Sequence, residues 1–98
     1  MVLLPEPWIE VVRGSDLGGS LLGELSNEVE PGHELSGVTV EPIAKCGGCD
    51  DSIFQLGDGT WALVHLTWSG RQETTPFPLT YRVKSEAELR DLMAERAH

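Results

Sequence analysis

Basic residues are scarce in this sequence, and their scarcity excludes one large class of function. Seven Lys and Arg stand against 16 Asp and Glu, which gives a formal net charge of -9. A protein that binds a phosphate backbone uses Lys and Arg to displace counterions, so we expect no nucleic-acid partner. The imbalance is concentrated in residues 1–44, where eight acids accompany Arg13 alone. Two interpretations stay open, a basic protein partner and a solvated acidic surface that aids solubility.

Long apolar runs are also missing. No stretch approaches the ~20 apolar residues that a helix needs to cross a bilayer, so we expect no membrane association. The first residues, MVLLPEPWIEVV, have no basic start and are interrupted by Pro5 and Pro7. They therefore do not look like a secretory signal peptide. Together these absences predict a cytoplasmic protein.

The chain has only two cysteines, which is fewer than the disulfide frameworks of small secreted domains use. Both lie in KCGGCDD, residues 45–51. Cys46 and Cys49 have the spacing of half a zinc site, which His33 and His65 would complete. A redox pair usually lies where a strand passes into a helix, whereas this pair lies between two predicted strands and beside two aspartates that disfavour the thiolate. The other interpretation is a tight turn in which the cysteines are small apolar residues, so we assign no cofactor and keep zinc as an alternative.

At 98 residues with 40% hydrophobic content, the sequence is typical of one globular domain spanning residues 1–98. Leucines spaced as one helical stripe predict a helix over residues 15–28, capped by Ser15 or Asp16 and ended by Pro31-Gly32. Three glycines inside this segment lower its helix propensity, so it depends on tertiary packing. Residues 85–88, SEAE, form a capping box that predicts a second helix reaching about Ala97.

Between these helices the sequence alternates as strands do. We predict strands over residues 38–45, 52–56, 60–69 and 79–84, with Pro42 marking an edge or a bulge. Asp58-Gly59 predicts a hairpin with a type I′ turn between the second and third strands. Antiparallel neighbours flanked by helices indicate an α+β fold, with a sheet of three or four strands and both helices packed on it in two layers.

Four segments carry a resemblance to a known family. They are GHELSG at 32–37, DDSIFQLGDG at 50–59, HLTWSGRQE at 65–73 and FPLT at 77–80. In these segments the chain resembles a family of small bacterial proteins without an established activity, which carry a Gly-His-x-Leu turn, an Asp-Asp pair opening a strand, and a His-Leu-Thr-Trp strand end. The resemblance covers about the central half of the chain, and it departs at Phe77, where a tryptophan is expected. It implies a bacterial, intracellular protein and no particular reaction.

The residues around His65 include some of the types that a catalytic centre uses. Asp51, Ser52 and Thr67 supply an orienting acid and hydroxyl groups near this histidine. However, there is no Gly-x-Ser-x-Gly elbow, and Ser52 opens a strand instead of a strand-to-helix turn. The glycine-rich segments also lack the Lys-Ser/Thr ending of a phosphate-binding loop. We therefore assign no catalytic residues and favour a non-catalytic protein.

Trp68 marks the surface where we expect a partner to bind. On a strand over residues 60–69, Trp61 and Trp68 would point to opposite faces, so at least one lies away from the helices. An exposed aromatic residue beside Arg71 and Glu73 is typical of an interface anchor, although it could equally close the core under a proline-rich loop. We predict a small acidic binding or protein-interaction module that uses Trp68, Arg71 and Glu73. The alternative is a zinc-binding protein that uses Cys46, Cys49 and one or both of His33 and His65.

Overall fold

A computed structural model describes residues 6–96, which form one antiparallel sheet and two helices. In chain order the elements are β1 (Trp8–Glu10), α1 (Asp16–Glu28), β2 (Val40–Cys46), β3 (Asp51–Leu56), β4 (Trp61–His65), β5 (Leu79–Val83) and α2 (Glu86–Glu95). The strands lie in the order β1-β2-β3-β4-β5, and every neighbouring pair is antiparallel. The predicted α+β class, with one N-terminal and one C-terminal helix, is confirmed. The sheet has five strands, because the short β1 joins the four that the sequence predicts.

The two helices pack on opposite faces of the sheet. Successive residues of a strand point to opposite faces, and Ile53 and Phe54 accordingly belong to separate apolar clusters. Phe54 packs with Leu21 and Leu25 of α1, whereas Ile53 packs with Leu89 of α2 and other residues. The sheet is therefore the middle of three layers, where the sequence led us to expect two. Both faces of β3 and β4 are apolar, and this composition requires cover on each side.

Local sequence signals explain both helices. The Ser15 hydroxyl accepts a hydrogen bond from the Gly18 amide at 3.1 Å, so the predicted N-cap of α1 is confirmed. The Ser85 hydroxyl accepts from the Glu88 amide at 3.1 Å in the same way. The second bond of a capping box, from the Ser85 amide to the Glu88 carboxylate, is replaced here. The Glu88 carboxylate accepts instead from the main-chain amide of Lys84 at 3.4 Å. Ala97, the predicted end of α2, lies outside the described residues.

The hairpin between β3 and β4 is confirmed, but its turn is of another type. Gly59 has a φ of +88°, while Asp58 has no positive φ, so the two-residue type I′ turn is wrong. The Gly59 amide donates to Leu56 O at 3.0 Å, and the Leu56 amide donates to Thr60 O at 2.8 Å. This pattern is a three-residue loop with a glycine in the left-handed region. The Asp58 carboxylate also accepts from the Thr60 amide, which favours this longer form.

Two further features of the sheet bear on the predictions. The register between β2 and β3 shifts between Pro42 and Ala44, which confirms the expected bulge. Trp8 of β1 donates its indole N–H to Met93 O at 2.9 Å and so links the edge strand to α2. Within residues 6–96, neither helix is long and apolar enough to cross a membrane.

Candidate functional site: the Trp68 loop

The chain leaves the sheet earlier than its sequence pattern predicts, and a buried carboxyl group explains why. β4 ends at His65 instead of Ser69. The amide of Thr67 donates to both carboxyl oxygens of Glu28, at 2.9 and 3.1 Å, and the amide of Trp68 donates to one of them at 2.9 Å. These amides are therefore bound to α1 and do not continue a β ladder. Residues 66–73 form an irregular segment that we call the Trp68 loop.

Two further bonds connect the Trp68 loop to α1. The Gly70 amide donates at 3.0 Å to the carboxyl group of Glu24, a residue that lies one helical turn before Glu28 on α1. The Glu73 amide donates to the main-chain carbonyl of Glu28 at 2.9 Å. Within the loop, the Thr67 hydroxyl donates to the Glu73 carboxylate at 2.9 Å. The loop is therefore fixed by its main chain, and the side chains of Trp68 and Arg71 are exposed to solvent.

Trp68 has an unusual main-chain conformation in this loop. Its φ of +56° lies in the left-handed region, which costs an ordinary residue about 1–2 kcal/mol. Nevertheless, 40% of the Trp68 residue surface is exposed, so core packing does not force this conformation. The bonds from Thr67 and Trp68 to Glu28 and from Gly70 to Glu24 offset the cost. A strained residue that presents a large aromatic side chain to solvent is a reasonable mark of function.

Glu28 and Glu24 are both buried, which is unusual for two acids one turn apart. Burial and the neighbouring Glu24 carboxyl group raise the pKa of Glu28 to about 7, although hydrogen bonds from the amides of Thr67 and Trp68 lower it. Near neutral pH, Glu28 is therefore close to half protonated. The last turn of α1 contains no basic residue that would compensate these charges.

The sequence-predicted binding residues lie together in this loop. Trp68 and Arg71 are exposed, and Glu73 is partly exposed. Hydrogen bonds from Ser69 and then Thr67 lower the pKa of Glu73, so this carboxylate is charged at neutral pH. Nearby, a hydrogen bond donated by the Thr75 hydroxyl lowers the pKa of Glu30.

A second polar cluster lies on the α2 face of the sheet. Asp51 is fully buried and accepts a bond from His65 Nδ1 at 2.7 Å and one from Arg96 Nε at 3.0 Å. Burial raises the pKa of Asp51, but the hydrogen bonds from Arg96 and His65 outweigh this effect and lower it overall. The Arg96 guanidinium also lies 4.8 Å from the centre of the Tyr81 ring. This cluster joins the end of α2 to β3, β4 and β5.

The cluster does not form a catalytic triad, in which a nucleophile contacts a base and the base contacts an acid. Asp51 orients His65, as the residue types suggest. Ser52 follows Asp51 on β3 and therefore points to the opposite face of the sheet. Its hydroxyl is buried and has no hydrogen-bond partner among the described residues. Thr67 is occupied by Glu73, so neither hydroxyl is presented to His65.

Cys46 is the last residue of β2 and Cys49 lies in the turn that follows it, and both are free thiols. Lys45 Nζ donates to the carbonyls of Cys46 and Cys49, at 3.0 and 2.8 Å, and holds the turn closed. Burial and then a hydrogen bond with Cys46 raise the pKa of Cys49 to about 11. The thiolate is therefore scarce at neutral pH, which is the reverse of what a redox pair needs.

The structure does not bring the four predicted zinc ligands together. Both ring nitrogens of His33 are engaged, one with the Leu35 amide at 3.0 Å and the other with Pro78 O at 2.9 Å. His65 is bound to Asp51. Across residues 6–96, no group of three His, Cys, Asp or Glu side chains is arranged to hold a metal ion. The zinc alternative stays a prediction for Cys46 and Cys49, to which the geometry adds no third ligand.

An open groove of about 450 Å³ lies beside the start of α1, away from the Trp68 loop. Gly18, Leu22, Val40 and Pro42 contribute to its lining, which is mostly apolar. Arg13, the one base in residues 1–44, is paired with Glu41 at 2.9 Å at this groove. Arg13 and Glu41 are the two charged residues of its lining and are paired with each other, so the groove is a weaker candidate than the Trp68 loop.

Sequence reasoning selected Trp68 but missed the two glutamates that position it. A signal was present, because Leu21, Glu24, Leu25 and Glu28 follow the spacing of one helical face. Acids on the apolar stripe of a helix must find hydrogen-bond donors when that stripe is buried. The donors themselves, at residues 67–70, are about 40 positions away and carry no recognisable pattern.

Comparisons with protein-family models, curated proteins and solved structures gave no match to this chain. The resemblance to a small bacterial family therefore stays a prediction.

Proposed function

We propose that this protein is a non-catalytic interaction module that binds a basic segment of another protein through the Trp68 loop. The observation that carries the proposal is the main chain of this loop. Two buried carboxyl groups hold it in place while Trp68, at a φ of +56°, remains exposed.

The rigidity of the loop supports a role in binding. Ordering a loop on association opposes affinity, and a loop fixed beforehand avoids much of this loss. The amides of Thr67, Trp68, Gly70 and Glu73 are each bound to α1, so the main chain that carries the indole is in place before any partner arrives. Tryptophan is among the residues that contribute most to protein interfaces.

The charge around the loop favours a basic partner. Glu30 and Glu73 lie in or beside the loop, and hydrogen bonds keep the pKa of each below its usual value. Arg71 is the one base in residues 66–73. The formal net charge of -9 attracts basic partners over longer distances. A Lys or Arg side chain placed over the Trp68 indole would add a cation–π interaction.

Titration with two peptides tests this function. An arginine-rich peptide and its glutamate-rich counterpart are added to isotopically labelled protein, and amide shifts are followed by NMR. We expect the basic peptide alone to move the amides of residues 67–71, and Trp68→Ala to weaken its binding at least about tenfold, as loss of an interface anchor does. Tyr81→Ala is the matched control, because Tyr81 is also 40% exposed but stacks on Arg96. Equal binding by both variants, or no shifts in the loop, would overturn the proposal.

A further inference from the structure

We propose that the outer edge of β5 is a second binding site, which takes an extended acidic segment of a partner protein as an additional antiparallel strand. This edge is separate from the Trp68 loop, and it does not depend on the function proposed for that loop. Two features of β5 support it: main-chain groups that the sheet leaves unpaired, and basic side chains beside them.

The register of the sheet shows which residues of β5 face outward. The residues of an antiparallel strand bond alternately to the neighbour on one side and to the neighbour on the other. The amide of Leu66, just after β4, donates to Asp50 O, just before β3. Leu63 is three positions earlier and therefore bonds to the other side, where its partner is Tyr81 of β5. Tyr81 thus directs its main-chain groups inward, toward β4.

Thr80 and Arg82, the two neighbours of Tyr81, direct their main-chain groups away from the sheet. β5 is the last strand in the sheet order, so no further strand lies beside it within residues 6–96. Each of the two residues has one amide donor and one carbonyl acceptor, so four main-chain groups lack a strand partner. A strand added at this edge would satisfy them with the same ladder that joins β4 and β5.

Both ends of this edge are already occupied by side chains. The carbonyl of Pro78 is hydrogen-bonded to the ring nitrogen Nε2 of His33 at 2.9 Å. The amide of Lys84 donates to the carboxylate of Glu88 at 3.4 Å. The open part of the edge is therefore bounded on both sides, and it suits a short extended segment.

The opposite edge of the sheet offers much less to a partner. β1 is three residues long, and a short edge strand is one of the ways in which proteins prevent pairing with other chains. β5 has five residues, contains no proline within its bounds and pairs with β4 without a register shift. Strand addition is therefore expected at β5.

The charge beside the β5 edge selects the partner. Residues 79–84 contain Arg82 and Lys84 and no acid, in a chain whose formal net charge is -9. Arg82 is paired with Asp58 at 3.8 Å, but both side chains are exposed, and such pairs contribute little. An acidic side chain opposite Arg82 would lie on the same face of the extended sheet and diagonal to Lys84, within reach of both bases.

Charge also argues against two other occupants. A basic segment would place a like charge opposite Arg82, which destabilises the pairing of strands. A second copy of this chain would bring two such edges together, with the bases of one beside the bases of the other. The net charge of the protein does not prevent an acidic segment from binding, because exposed charges more than about 8 Å away are screened at physiological ionic strength.

Two peptides of about eight residues, a usual strand length, test the site in the intact protein. One alternates glutamate with valine, the other alternates lysine with valine, and each is added to isotopically labelled protein at about 0.15 M salt. We expect the glutamate peptide alone to shift the amides of Thr80 and Arg82 in NMR spectra and to slow their exchange with solvent. No shift at these two amides would overturn the inference.

Methylation of alternate peptide amides tests the pairing without any change to the protein. When a glutamate lies opposite Arg82, the glutamate amides face the edge and the valine amides face solvent. Methyl groups on the glutamate amides should weaken binding at least about tenfold, because they remove donors and block the approach of the strand. Methyl groups on the valine amides should change it by less than about threefold. Equal losses from both would rule out strand addition.

Charge-reversal variants test the choice of an acidic partner. Arg82→Glu should weaken binding of the glutamate peptide about three- to tenfold, because an attractive cross-strand pair becomes repulsive. Lys84→Glu, at another exposed position, is a second variant with the same expected direction. Arg13→Glu is the matched control, since it changes the net charge equally and its side chain is 90% exposed beside Glu41 of β2. An equal loss in this control would mean that net charge alone attracts the peptide, and the inference would fail.

These results are distinguishable from those that test the Trp68 loop. The arginine-rich peptide is expected to shift residues 67–71 and the glutamate peptide to shift Thr80 and Arg82, so either site can fail while the other is retained. Broadening of the Thr80 and Arg82 amides that grows with protein concentration in the absence of peptide would place a second copy at this edge. That outcome would overturn the acidic partner.

Discussion

Replacing Asp51 by alanine should destabilise the fold strongly, whereas replacing its neighbour Asp50 should not. Asp51 is fully buried and accepts hydrogen bonds from His65 at 2.7 Å and from Arg96 at 3.0 Å. Asp50 is exposed, and its main-chain carbonyl accepts a hydrogen bond from the Leu66 amide at 3.3 Å, a bond that does not involve its side chain. The two variants remove the same side chain from adjacent positions, so their difference isolates the buried cluster.

The magnitude follows from what the substitution leaves behind. Removing one member of a buried ion pair typically costs about 3–5 kcal/mol, because the other charge is stranded. Here the side chains of Arg96 and His65 are 29% and 43% exposed, so both can reach water after the loss. We therefore expect a smaller loss for Asp51→Ala, about 2–3 kcal/mol of a total of roughly 5–15 kcal/mol. Asp50→Ala should stay within about 0.5 kcal/mol of the wild type.

Urea denaturation at neutral pH measures both free energies of unfolding, provided that the slopes agree between variants. The difference between wild type and Asp51→Ala should shrink in acid. The pKa of Asp51 is lowered from 3.8 in the fold, so its contribution is complete above that value and is lost as the pH falls through the folded pKa. Equal stability of the two alanine variants at neutral pH would refute the importance of the cluster.

Three further predictions concern single positions. Trp68→Gly should be more stable than Trp68→Ala by about 1 kcal/mol in urea denaturation, because only glycine adopts the positive φ freely; equal stabilities would contradict the observed conformation. Gly19→Ala should stabilise α1 by up to about 1 kcal/mol, since a Cβ there meets nothing within 4 Å, whereas Gly47→Ala should destabilise because its Cβ would lie 2.8 Å from Pro7 O. Alkylation of Cys49 by iodoacetamide should rise with pH toward a midpoint near 11, and rapid labelling at neutral pH would contradict its burial.

Features encoded by neighbouring residues could be predicted from the sequence. The caps of both helices and the hairpin at Gly59 depend on side chains within a few positions of the bonds they make. The alternation of Ala62 and Val64 against Leu63 also gave the correct faces of β4. In these cases the residues that determine the structure are close together in the sequence, so a sequence pattern includes all of them.

Features decided by distant residues could not be predicted. β1 is three residues long, and its pairing with Cys46 is visible only in the folded chain. The end of β4 is set by Glu28, whose carboxyl group competes with the sheet for the amides of Thr67 and Trp68. Alternation therefore extended the predicted strand to Ser69, although the amides of Thr67 and Trp68 donate to Glu28 of α1 and not to a neighbouring strand. The placement of the helices on opposite faces is a long-range outcome of the same kind.

The claim at the centre of this account is that buried carboxyl groups hold the main chain of the Trp68 loop. Amide hydrogen exchange of Thr67, Trp68 and Gly70 at about pH 6, in the wild type and in Glu28→Ala, tests it most directly. We predict slow exchange of all three amides in the wild type, although they lie outside every strand. In the variant we predict fast exchange of Thr67 and Trp68, with Ile53 and Leu63 in the central strands still protected. Fast exchange of these loop amides in the wild type would contradict the account.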